Sequence, residues 1–150
     1  MRLLSTRLGK IRGLDNGGVF SFLGLRYGAP PTGSQRFLAP IKSSGWRDVL
    51  DGTHFPNRSM QNESELSLRP FVPGNMSEDC LFLNITTSAL TGKLKPVMVW
   101  IHGGGFIGGS ANEYDTQVLS QQGDMIVVSL NFRVGTLGFL DLSSHGDAYQ

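Results

Sequence analysis

One stretch constrains this chain more than any other: VMVWIHGGGFIGGS, residues 97–110. An apolar run ends abruptly in a histidine, three glycines, an aromatic and two more glycines. Successive apolar residues from Val97 to His102 predict a strand buried on both faces, as in the centre of a covered sheet. Glycines gathered behind such a strand serve a backbone that other residues adopt only at a cost, or one that a Cβ would obstruct. Three explanations compete. The cluster is a plain strand-to-helix turn, a cradle for phosphates, or a mould for an oxygen that becomes negative during a reaction.

The neighbouring sequence sets this strand in a larger pattern. CLFLNIT (80–86) and DMIVVSL (124–130) are also β-rich. Between the last two strands, ANEYDTQVLSQQG (111–123), with Val118 and Leu119 as its apolar spots, predicts a short helix stopped by Gly123. Strand, helix, strand is a parallel crossover. Upstream, Leu8, Ile11 and Leu14 lead to a turn at Asn16, Gly17 and Gly18, and a β-rich run then reaches Tyr27, so antiparallel strands are expected. Residues 28–40 are too rich in Pro and Gly for a regular element, and Trp46 is expected to be buried. Residues 51–77 have no period and predict a long surface loop, functional or mobile. The fold class is α/β, with short antiparallel strands followed by central strands of a mixed, mostly parallel sheet.

Composition removes several function classes. A length of 150 residues suits one domain or a piece of one. The net charge is +1 and Lys and Arg form no run, so no nucleic-acid partner is expected. Cys80 is the single cysteine, which excludes an intramolecular disulfide and a site of paired cysteines; no metal or cofactor is implied. No apolar run is long enough to span a bilayer. MRLLSTRLGK has no signal-peptide core, which predicts a cytosolic protein if the N-terminus is complete and leaves a secreted or ER-lumenal one open if it is not.

Gly103, Gly105 and Gly108 satisfy the dinucleotide pattern G-x-G-x-x-G, with Asp124 about twenty positions on. Placement defeats this explanation. The fingerprint needs a helix that starts within the glycines and an acid beyond the next strand. Here Gly108, Gly109 and Ser110 prolong the loop, and Asp124 precedes its strand. An oxyanion hole fits better. Ester cleavage passes through a tetrahedral intermediate with a negative oxygen, and preorganised backbone N–H groups stabilise it. An HGGG turn after an early strand has this role in lipases and esterases, and residues 102–106, HGGGF, match it.

With four such stretches in order, the chain resembles the N-terminal part of type-B carboxylesterases, the family of carboxylesterases and cholinesterases. They are GLRYGAPPTGSQRFLAP (24–40) followed by Trp46, SEDCLFLNI (77–85), WIHGGGFIGGS (100–110) and NFRVGTLGFL (131–140). The resemblance implies an α/β-hydrolase fold, incomplete here, and serine attack on a small-molecule carboxylic ester by the full-length protein. It implies that the N–H groups of Gly104 and Gly105 bind the oxyanion, that His102, Gly103 and Phe106 support the loop, and that Arg36 pairs with Glu78. The sequence also departs from the family. The cysteine of the EDC motif is normally disulfide-bonded about twenty residues upstream, where Ser59 stands here, so Cys80 is expected to be a small buried hydrophobe. Pro70 occupies the place of the choline-stacking tryptophan of cholinesterases, so choline esters are not favoured substrates. Asn57, Asn62, Asn75 and Asn84 open glycosylation triplets, although Asn84 falls in a strand and is expected to be structural.

No G-x-S-x-G nucleophile elbow occurs. Ser110, the nearest candidate, lies on the glycine loop and predicts a cap. His54, His102 and His145 precede any nucleophile in chain order, so none is expected to be the catalytic base. Residues 1–150 are thus expected to be the first part of a single carboxylesterase domain, truncated before the elbow and inactive alone, with a sheet edge left unpaired. The alternative from another class is a non-catalytic, neuroligin-like adhesion relative.

Overall fold

The computed structural model describes residues 1–62 and 71–146. Seven strands form one mixed sheet: β1 (Arg2–Thr6), β2 (Gly9–Asp15), β3 (Phe20–Arg26), β4 (Val49–Asp51), β5 (Phe82–Thr87), β6 (Val97–Ile101) and β7 (Ile126–Leu130). Their order is β1-β2-β3-β5-β7-β6, with β4 beside β2. Parallel pairing joins β6 to β7 and β2 to β4; the other neighbours are antiparallel. The chain thus holds an antiparallel margin and one parallel crossover. The margin includes a hairpin at Arg7 and Leu8 besides the expected turn after Asp15, where Gly18 N–H donates to Asp15 Oδ1.

The crossover is less regular than a single helix. A 3₁₀ turn (Ala111–Glu113) comes first, then α1 (Gln117–Gln122). Gly123 ends α1, its N–H donating to Leu119 O. Val118 and Leu119 are exposed, and the buried residue of α1 is Ser120. Its hydroxyl donates to Met125 O at 2.7 Å, tying α1 to the start of β7. A second short helix, α2 (Thr136–Phe139), follows β7.

Burial departs from expectation in two places. Val97, Val99, Trp100 and Ile101 of β6 are exposed, because β6 is the sheet edge and few of the described residues cover it. Trp46 is half-buried; its indole N–H donates to Lys10 O at 2.6 Å, and Gly9 makes room for the ring. The described ends of the 51–77 loop are pinned: Arg58 N–H donates to Asn75 O, and Ser77 N–H to Arg58 O. Pro70 and most of the Asn62 triplet lie outside the described residues.

The apolar core comprises Ile11, Val19, Phe22, Leu23, Leu81, Val127 and Val134. Beside it sits a polar one. Asn131, 1% exposed, follows β7. Its Oδ1 accepts from Ala111 N–H at 2.8 Å and Ser110 Oγ at 3.1 Å, and its Nδ2 donates to Asn57 O at 3.0 Å. Asn131 O accepts from Tyr27 Oη at 2.8 Å. Asn112 Nδ2 donates to Pro56 O and Pro73 O. Two buried carboxamides thereby hold loops from four parts of the sequence.

Asn131→Ala strands buried backbone groups at Ala111 and Asn57, so it is expected to cost about 3 kcal/mol in urea unfolding. Asn16→Ala, which removes an exposed bond to Gln117, is expected to cost about 0.5 kcal/mol or less. Equal losses for the two variants would contradict this account of the polar core.

Candidate oxyanion-binding loop

The glycine loop leaves the C-terminal end of β6 and passes through left-handed backbone at three successive residues: Gly104 (φ 120°), Gly105 (φ 59°) and Phe106 (φ 64°). Such a run is costly for residues with a Cβ, and only Phe106 carries one. Gly104 is obligatory for a second reason, since a Cβ there would lie 2.1 Å from Gly108 O. Ile107 N–H and Gly108 N–H both donate to Gly104 O, closing the turn. The N–H groups of Gly104 and Gly105 donate to no acceptor among the described residues. Gly103 has ordinary φ and open space around it.

Three clamps fix this shape. Gly135 N–H donates to Phe106 O at 2.6 Å, and the Phe106 and Phe139 rings meet 4.8 Å apart. Gln61 grips Gly109 from both sides, accepting from its N–H at 2.6 Å and donating to its O at 3.1 Å. Ser110 Oγ accepts from Asn112 N–H and donates to Asn131, so this serine is a buried cap. Gln61, Asn112 and Asn131 had no local signal in the sequence, because the loop partners they hold are 20 to 74 residues away.

His102 lies buried behind the loop, stacked on Phe132 at 4.3 Å. Nδ1 is 2.8 Å from Gly103 O, which only accepts, so Nδ1 carries the proton and Nε2 is left unprotonated. Nε2 is buried with no partner among the described residues. Burial lowers the His102 pKa from its ordinary 6.5, against the pull of Gly103 O and Glu113. Burial thus favours the uncharged ring. His54 and His145 are exposed.

Arg36 and Glu78 form a bidentate pair, both contacts 2.7 Å, that holds the Pro-rich loop to the segment before β5. Each raises or lowers its partner's pKa in the stabilising direction, first through the hydrogen bond. A second pair lies beside it: Arg26 binds both oxygens of Asp79 at 2.6 and 2.7 Å while stacking 4.3 Å over Phe82. Cys80 is fully buried and hydrogen-bonded by Ser59, and burial pushes its thiol up to about 11. It is unreactive packing. Asp124 pairs with Lys95 and α1 starts only at Gln117, so nothing of a dinucleotide site assembles around residues 103–108.

These features define the N-terminal part of an α/β-hydrolase. Comparison with known proteins takes the assignment further. The carboxylesterase family profile matches residues 1–148, and the chain belongs to that family. It is 43% identical to para-nitrobenzyl esterase of Bacillus subtilis, over 99% of this chain and 31% of that protein. It is 40% identical to cocaine esterase of Oryctolagus cuniculus, over 97% of this chain and 29% of the relative. A solved para-nitrobenzyl esterase superposes with a TM-score of 0.92 at 41% identity, covering 99% of this chain and 31% of that one. A carboxylesterase of Geobacillus stearothermophilus gives 0.86 at 41%, covering 98% and 29%. The chain therefore spans less than a third of these relatives' length.

A depressed histidine pKa gives a signed prediction. Below about pH 6.5 the unfolded chain binds a proton that folded His102 resists. His102 thus adds stability above that pH, and it is lost as pH falls toward the lower folded value. The urea midpoint is expected to fall between pH 7.5 and 5.5, and His102→Gln is expected to flatten this dependence. An unchanged slope in His102→Gln would show that other groups cause it.

Proposed function

We propose that residues 1–150 supply the oxyanion-binding part of a serine-type carboxylic ester hydrolase, a single domain of which they form the N-terminal portion. The left-handed run at Gly104, Gly105 and Phe106 carries this proposal. It leaves two adjacent N–H groups unengaged on a clamped loop, and a developing oxyanion needs such donors. Because the loop is already held, little reorganisation is required when charge appears on the carbonyl oxygen. His102 stays neutral and fixes Gly103 from behind. Phe106 supports the loop through its ring and carbonyl, and the Arg36–Glu78 pair holds the loop before β5.

The attacking group is not among the candidates these residues offer. Ser110 is buried with its hydroxyl engaged by Asn131 and Asn112, and among the described residues no histidine hydrogen-bonds to it. These 150 residues alone are therefore inert toward esters, and the ester is a substrate of the complete domain. The names of the similar proteins, para-nitrobenzyl esterase and cocaine esterase, support an ester substrate without selecting one.

The test joins residues 1–150 to the part of B. subtilis para-nitrobenzyl esterase that follows its matched region. The chimaera is expected to hydrolyse para-nitrophenyl acetate, and the isolated chain is not. Gly104→Ala in the chimaera is expected to lower kcat on the order of 100- to 1000-fold, as loss of an oxyanion donor does. Gly103→Ala is expected to cost far less, since its Cβ meets no atom of the described residues. Hydrolysis by the isolated chain, or equal losses from the two alanines, would contradict the proposal.

A further inference from the structure

On the face of the sheet beneath α1 lies a cavity of about 260 Å³. The Ala111–Glu113 turn and the chain entering α1 form its roof, and its floor sets polar side chains beside Leu14 and Leu23 where a sheet normally packs apolar ones alone. Ser21 of β3, Asn84 and Thr86 of β5 and Ser129 of β7 share this floor. The register sets Thr86 opposite Ser21 and Asn84 opposite Ser129. Two of the four are satisfied: Asn84 Oδ1 accepts from Gly24 N–H, and Thr86 Oγ1 bonds Thr116 Oγ1. Ser21 and Ser129 are 5% and 2% exposed, and their hydroxyls have no hydrogen-bond partner among the described residues. Both hydroxyls face the open cavity, so whatever enters it can bond to them.

The walls add charge of one sign. Glu113 and Asp115 line the cavity, and no Lys or Arg does. Neither carboxylate forms an ion pair among the described residues. Asp115 Oδ1 accepts only from Gln117 N–H. Phe55 and Tyr114 offer apolar surface beside them. The volume is just below the range of about 300–1,000 Å³ usual for small-molecule sites, so a compact occupant fits and a large one does not.

We propose that this cavity binds a small protonated amine carrying several hydroxyl groups, of amino-sugar size. The ammonium group meets Glu113 and Asp115. The hydroxyls satisfy Ser21 and Ser129 on the floor, and the carbon skeleton lies against Phe55 and Tyr114. The site is separate from the unengaged amides of the glycine loop and stands whether or not that loop binds an oxyanion.

Glucosamine and glucose serve as probes, titrated into the ¹⁵N-labelled chain. Glucosamine is expected to shift the amides of Thr86, Glu113 and Ser129 in a saturable way and to leave Gly104 and Gly105 unmoved. Glucose, lacking the charge, is expected to bind at least about tenfold more weakly. Glu113→Gln, on the rim, is expected to remove most of that preference. Ser129→Val fills the floor and is expected to abolish binding of both sugars. No saturable shift, equal affinity for the two sugars, or an undiminished preference in Glu113→Gln would each overturn the proposal, the first leaving a cavity that holds water only.

Discussion

The carboxamide of Asn131 is the constraint on which the rest of the structure depends. One buried side chain accepts from Ala111 N–H and Ser110 Oγ and donates to Asn57 O. It thereby fixes the exit of the glycine loop against the end of β7 and against the loop that carries Gln61. The entrance is fixed by β6, paired in parallel with β7. With both ends held, a run of three left-handed residues can persist in one conformation. Left-handed backbone at non-glycine positions survives only where its surroundings over-determine it, and Phe106 is such a position.

Polar bonding does this work because these segments are loops. They carry backbone groups that no strand ladder satisfies, and a purely apolar filling would leave those groups unpaired at a cost comparable to that of a lost hydrogen bond. Carboxamides suit the task because each offers donors and acceptors together. Asn112 repeats the solution by binding Pro56 O and Pro73 O. The two bidentate arginine pairs brace the outer loops in the same way, one at each residue of the Glu78-Asp79 step.

How much of this was legible in the sequence depended on whether the signal was local. The β-rich stretches, the turn at Asn16 to Gly18 and the stop at Gly123 follow from nearest-neighbour chemistry, and all are found. Asn84 was expected to be a hydrogen-bonded strand residue and is one. The family could be recognised because four motifs occur in order. The Asn131 and Asn112 network was not legible, since the sequence separation of its partners hides it from any periodicity. The exposure of β6 departs from expectation for a different reason. Apolar patterning reports the environment for which a segment is suited, and the described residues do not include what would cover those side chains. Ser120, polar and buried, shows the converse: its hydroxyl replaces an apolar contact by donating to Met125 O just before β7, with Thr86 O of β5 3.3 Å away.

The proposed oxyanion role rests on amides that are held in place before any charge forms. Residual dipolar couplings of the Gly104, Gly105 and Phe106 N–H bonds in the isolated chain test this most directly. A single orientation for all three, fitting the same alignment as β6 and β7, is the result the account predicts. Couplings averaged toward zero, or a fit that turns these N–H groups into hydrogen bonds within the loop, would contradict it.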